Sequence, residues 1–105
     1  MGEKEYIIEG LKKFVKRVNK DFKIEKIIFF GSRTTNKYIK DSDIDLILVS
    51  NDFEGLDFFE RASKMYDYWI LDYPVDFLCY TIAEFTNLRK RISIINYALK
   101  KGIVI

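Results

Sequence analysis

The stretch FGSRTTNKYIKDSDIDL, Phe30 to Leu46, decides how this chain folds and what chemistry it can carry. It puts Gly31-Ser32 twelve residues ahead of Asp43, and one residue separates Asp43 from Asp45. Both flanks read as extended. Lys26-Ile27-Ile28-Phe29-Phe30 forms the apolar end of a strand over about Ile24 to Phe30 that runs into Gly31, and Ile44 to Val49 continues a second strand starting at about Asp43. Alternate side chains of an extended segment share a face, so Asp43 and Asp45 project the same way. Paired carboxylates on one face suit a hard divalent cation such as Mg²⁺. A glycine after a buried strand permits a tight turn and close approach of backbone to ligand, and the amides that follow, with the Ser32 hydroxyl, can bind phosphate oxygens. The turn is not a P-loop, because no Gly-Lys-Ser or Gly-Lys-Thr follows at the required distance.

Outward from this centre, Ile7, Leu11, Phe14 and Val18 recur at helical spacing and predict an opening helix over about Lys4 to Lys20. A second helix is expected over about Leu56 to Leu71, with Phe59, Ala62, Met65 or Tyr66, Trp69 and Ile70 facing the core. Asp57 and Glu60 near its start suit the helix dipole. Tyr73-Pro74 ends it, and Val75 to Tyr80 reads as a third strand. Thr81 with Glu84 forms a capping box that opens a last helix, with the stripe Phe85, Leu88, Ile92, Ile95 and Leu99 and a stop at Gly102. The order is α-β-β-α-β-α. If the third strand lies beside the second with its start at the same end, Asp76 joins Asp43 and Asp45 on one sheet edge. Three carboxylates that close repel one another unless cations sit between them. A pair of Mg²⁺ ions there could bridge a triphosphate and activate a hydroxyl, the logic of phosphoryl and nucleotidyl transfer.

Composition narrows the alternatives. With 105 residues, 49% of them apolar and 32% charged, the chain reads as one folded domain over residues 1–105. No wholly apolar run exceeds four residues, which excludes a membrane span or signal-peptide core and leads to an expected cytoplasmic location. Histidine is absent, so imidazole zinc sites and histidine bases are excluded. The single cysteine, Cys79, lies in an apolar run and reads as a small buried hydrophobe. Charge is uneven: residues 1–40 carry eleven bases and five acids, residues 41–76 two and ten, residues 77–105 five and one. That pattern is either a metal-bearing centre within a phosphate-attracting rim or ordinary solvated helix faces.

Gly31-Ser32 followed by Ser42-Asp43-Ile44-Asp45-Leu46 resembles the signature of the nucleotidyltransferase superfamily that includes DNA polymerase beta. In length and element order the chain is similar to the minimal nucleotidyltransferases, over roughly Ile24 to Ile105. The resemblance implies an α+β fold: a small mixed β-sheet with helices packed mainly on one face. It places nucleotide phosphates on Gly31 and Ser32, two metals on Asp43 and Asp45, and the third carboxylate, which helps deprotonate the attacking hydroxyl, on Asp76. It also implies Mg²⁺ as cofactor and ATP as substrate, and a helical partner of the HEPN type. Some small members act as antitoxins that transfer AMP onto a tyrosine of such a toxin (AMPylation).

The chain departs from the pattern Gly-Ser-x-Ala-Arg-Gly, with Thr35 and Asn36 in place of arginine and glycine, and Arg33, Lys37 or Lys40 is expected to supply the missing charge. Arg33 is either a phosphate contact or a surface charge, and Ser42 either touches ligand or caps a local turn. Tyr66 and Trp69 read as core packing rather than a stacking platform, while Tyr38 either stacks on a base or covers the sheet edge.

Three functions stand: an enzyme transferring a nucleoside monophosphate, a binding module with the same fold that neutralises a helical partner with little or no catalysis, and an RNA-binding protein. The last is weakest, because a carboxylate cluster opposes nucleic acid without metal. A homo-oligomer stays open.

Overall fold

The computed structural model describes residues 2–34, 43–91 and 94–105. Ser42 lies outside them, as do Thr35, Asn36, Lys37, Tyr38 and Lys40. The chain runs α1 (Glu3–Val18), β1 (Lys26–Phe30), β2 (Ile44–Val49), α2 (Phe58–Tyr66), β3 (Val75–Tyr80), α3 (Ile82–Arg89), α4 (Ile94–Lys101) and β4 (Ile103–Val104), with 3₁₀ turns at Ser32–Thr34 and Asn51–Phe53. The sheet order is β3-β2-β1-β4; β2 and β3 are parallel, while β1 is antiparallel to both β2 and β4. This is the mixed α+β fold expected from the sequence.

Alternation along the strands divides the core between two faces. Ile27 and Phe29 of β1, Ile44, Leu46 and Leu48 of β2, and Val75, Phe77 and Cys79 of β3 meet the buried stripe of α1, Ile7, Leu11, Phe14 and Val18, together with Met65 of α2. The other face is smaller: Ile28, Phe30, Ile47 and Val49 pack against Phe85 of α3 and Ile95 and Ala98 of α4. Central β2 is therefore apolar at nearly every position, as a strand covered on both faces must be. Its one polar residue is Asp45.

The helices differ from expectation in two places. Helix α2 is shorter than the span Leu56 to Leu71, and Phe59 and Ile70, expected in the core, are 81% and 74% exposed. The inward positions of α2 are Arg61 and Met65. The chain leaves the helix after Tyr66 and brings Trp69 onto Phe14 and Phe77, with ring centroids 5.4 and 5.7 Å away. Trp69 thus packs as expected, while Tyr66 is half-exposed with its ring edge-on to Phe77 at 4.9 Å.

The predicted last helix is two helices. Thr81 and Glu84 do form the capping box, with the Glu84 carboxylate accepting from the Thr81 amide at 2.8 Å and Thr81 Oγ1 from the Glu84 amide at 3.2 Å. The helix then stops at Arg89, and α4 crosses to β1. Helix α3 meets β3 and helix α4 meets β1, and one straight rod along this stripe does not serve both. Gly102 then turns the chain into β4: a Cβ there would meet the Ala98 carbonyl oxygen and the Ile28 side chain. No helix of the described residues is long and apolar enough to cross a membrane.

Candidate active site

Asp43, Asp45 and Asp76 belong by parity to the face that α3 and α4 cover. Those two helices pack on Ile28, Phe30, Ile47 and Val49, so they leave the starting end of β2 and β3 open to solvent. At that end Pro74 accepts a hydrogen bond from the Ile44 amide at 2.8 Å, which fixes the start of β3 beside the start of β2. The parallel register then sets Asp45 opposite Asp76. Asp43 is exposed at the mouth, Asp45 is partly buried, and Asp76 is exposed on the edge strand.

Electrostatics register this convergence. Burial, then the negative charges of Asp76 and Asp43, push the Asp45 carboxyl up to about 6. Asp76 is raised by burial first, then by the charge of Asp43 and a hydrogen bond between the two carboxyl groups. The Tyr66 hydroxyl is raised too, by burial and then by Asp76 and Asp43. Among the described residues, no group of three or more His, Cys, Asp or Glu side chains is placed to hold a metal ion, so the three carboxylates stand as neighbours on one edge and not as a formed ligand set. The donor chemistry fits a divalent cation: all three are oxygen donors, and their mutual repulsion is the energy a cation placed among them would relieve.

Gly31 closes the site on the β1 side. Its φ is +89°, a region that strains side-chain-bearing residues, and a Cβ there would overlap the Asp45 carboxylate. Phe30 is the register partner of Asp45, so the turn after β1 lies beside that acid. The backbone turns through 3₁₀ at Ser32–Thr34, with Thr34 donating both its amide and its hydroxyl to the Gly31 carbonyl at 3.1 and 2.7 Å.

Arg33 has its described partners on the opposite side of this turn. It is 4% exposed, its Nη1 is 2.5 Å from Glu3 Oε1, and its guanidinium lies 5.1 Å from the centroid of Tyr73. Arg33, read from the sequence as either a phosphate contact or a surface charge, is buried and ties the turn to the start of α1 through Glu3.

Two features escaped the sequence. Arg61 projects inward from α2, where its Nε donates to the Leu56 and Phe53 carbonyls at 2.9 and 3.1 Å and Nη1 to the Cys79 carbonyl at 3.1 Å. It also makes a two-pronged pair with Glu84 at 2.6 and 3.2 Å. That hydrogen bond is the chief cause raising Arg61 and lowering Glu84. The spacing of Arg61 and Met65 on one helix stripe was the available signal. The second is an open cleft of about 720 Å³ between α2 and the sheet, reaching from Phe58 and Phe59 past Ser63 and Tyr66 to Asp76 and Asp45. Cys79 is no part of this chemistry: burial pushes its thiol up to about 12.

Comparison with known proteins speaks to the family and the fold. The family model for the nucleotidyltransferase domain matches residues 11–101. A crystal structure of a candidate nucleotidyltransferase from Sulfolobus solfataricus, solved at 1.40 Å, superposes with a TM-score of 0.66 at 20% identity, covering 96% of this chain and 80% of the other. No curated protein sequence matches.

Proposed function

This chain belongs to the nucleotidyltransferase domain family, and from that premise we propose that it transfers a nucleoside monophosphate, AMP from ATP, to a hydroxyl. The observation that carries this reading is the placing of Asp45 opposite Asp76, with Gly31 against the same carboxylate. Asp43 and Asp45 would hold Mg²⁺, with Asp76 completing the set. When bound, the metal would neutralise charge on the triphosphate and polarise the P–O bonds of the phosphoryl group under attack.

The remaining work falls to the chain's own groups. The turn at Gly31-Ser32 presents backbone amides to the β- and γ-phosphates, beside rather than on top of the carboxylates. Asp76, on the far side of Asp45 from that turn, takes the acceptor's hydroxyl proton on a carboxylate oxygen. The acceptor oxygen bonds to the α-phosphorus, the bond from that phosphorus to the bridging oxygen breaks, and pyrophosphate leaves with the electron pair.

The acceptor in this reading is a tyrosine of a helical HEPN-type partner, which gives the protein an antitoxin role in the cytoplasm. Its support is the likeness of the Gly31-Ser32 and Ser42 to Leu46 motifs to minimal nucleotidyltransferases. The test is intact-mass measurement of such a partner after incubation with this protein, ATP and Mg²⁺. An AMP-sized gain that disappears in Asp43→Asn and Asp45→Asn is expected. No gain, together with tight association that needs no metal, would replace the transferase with a binding module of the same fold.

A further inference from the structure

The sheet order separates two sides of the carboxylate site. Gly31 follows β1 on one side of Asp45, and Asp76 on β3 lies on the other. The cleft runs from Phe30 and Asp45 past Asp76 to helix α2, which forms its wall beyond β3. Phe59, Ser63 and Tyr66 follow one helical stripe along that wall, at i, i+4 and i+7.

This wall is apolar and held in place, yet it covers nothing. Phe59 is 81% exposed, with Phe58 edge-on at 6.0 Å beside it, which in turn contacts Tyr80 at 6.2 Å. Tyr66 is anchored at both ends: its ring meets Phe77 and its hydroxyl donates to the Val75 carbonyl at 2.6 Å, one residue before Asp76. Phe59 keeps most of its ring in water, so an apolar group entering here removes apolar surface on both partners from solvent.

Charge and hydrogen bonding narrow the occupant. The cleft's described lining carries two acids, Asp45 and Asp76, and no lysine or arginine. A polynucleotide needs cations along its phosphates, so this wall opposes one. Strand addition along β3 is also opposed, because Tyr66 and Arg61 already occupy the Val75 and Cys79 carbonyls on that edge. What fits is a single ring with a polar tip that inserts sideways between α2 and β3.

Resting on the transferase reading, we propose that the α2–β3 cleft is the acceptor subsite, and that it takes an aromatic hydroxyl side chain of a partner protein with its ring on Phe59 and Tyr66 and its oxygen toward Asp76. Donor phosphates on the Gly31 side and the acceptor ring on the α2 side then approach the carboxylates from opposite directions, as in-line displacement requires.

The probe is N-acetyl-tyrosinamide, titrated into the isotope-labelled full chain and followed by amide chemical shifts, with ATP and Mg²⁺ in a parallel titration. Tyrosinamide should move residues of α2 and leave the Gly31 turn in place, whereas ATP with Mg²⁺ should move the Gly31 turn and the starts of β2 and β3 and leave α2 in place. Phe59→Glu, at an exposed position, should weaken the tyrosinamide response about tenfold or more and leave the ATP response intact. Tyrosinamide shifts that are absent, or that Phe59→Glu does not change, overturn the proposal. So does displacement of tyrosinamide by adenosine, which would make the wall a site for the donor's base, or by a short single-stranded RNA. The transferase reading fails separately: tyrosinamide mapped to α2 with no nucleotide transferred to any acceptor leaves the subsite standing and removes the enzyme.

Discussion

Asp45 on β2 and Asp76 on β3 occupy the same rung of a parallel strand pair, at the end of the sheet that α3 and α4 leave open. Neighbouring strands lie about 4.8 Å apart, so the two side chains leave the sheet side by side. A fully overlapped antiparallel pairing would have brought the start of one strand to the end of the other. The parallel crossover through α2 is what places two strand-start acids together.

This pairing should be measurable as pH-dependent stability. The folded state holds the Asp45 proton up to about pH 6, whereas the unfolded chain releases it near the ordinary aspartate value. Between those limits the folded state binds more protons, so stability is greatest at the acid end, falls as pH rises to about 6, and is level above it. Asp45→Asn should flatten this slope in urea titrations and gain on the order of 1 kcal/mol at neutral pH, a figure reduced for the solvent that reaches the group. Added Mg²⁺ should raise the unfolding midpoint of the parent protein and not that of the variant. An unchanged slope in Asp45→Asn would assign it to other acids.

Gly31→Ala should be costly in two ways. The positive φ and the overlap with the Asp45 carboxylate together predict a loss of about 1–3 kcal/mol. Displacing that carboxylate should also remove transfer activity out of proportion to the folded fraction. Activity normalised to folded protein separates the two effects, and a variant with full normalised activity would show that the turn tolerates a side chain.

Arg61 joins α2, β3 and α3. Arg61→Met leaves Glu84 without its cation and the Phe53, Leu56 and Cys79 carbonyls without their donor, so a loss of about 3–5 kcal/mol is expected. Glu84→Gln keeps the guanidinium's carbonyl partners and should cost less, about 1–2 kcal/mol. Chemical denaturation of both decides it; equal losses would locate the stabilisation in the ion pair alone.

Arg33 offers a test between fold and ligand. With its described partners at Glu3 and Tyr73, Arg33→Ala should lower stability by about 2–4 kcal/mol, and Glu3→Gln should reproduce part of that loss. ATP affinity at a temperature where all variants are folded should fall little in Glu3→Gln. A large fall in ATP affinity for Arg33→Ala, with stability unchanged in both, would return Arg33 to the phosphates.

Much of this was legible before any fold was known. The strands around Gly31 and Asp45 and the whole of β3 follow from short apolar runs, the α1 stripe from helical spacing, and the start of α3 from the Thr81–Glu84 box. These are local patterns, in which a residue's neighbours within one or two turns settle its conformation. Phe59 shows the limit: as a large apolar residue in a helical pattern it was expected inside, but one position later in the stripe separates Met65 in the core from Tyr66 in the cleft. Arg61 shows the converse, a charge that the pattern would expose and the structure buries, because five acceptors converge on it from segments far apart in sequence.

The sequence by itself therefore determined the first three strands, the Gly31 turn and the chemical character of the acids, since backbone preference and side-chain type act over a few residues. Tertiary structure alone decided that Asp76 stands beside Asp45, that the last helix divides into α3 and α4, that β4 joins the sheet, and that Arg33 pairs with Glu3. The physical reason is that strand order, the parity of each face and the reach of α3 and α4 over the sheet fix which groups share an edge and which lose their water.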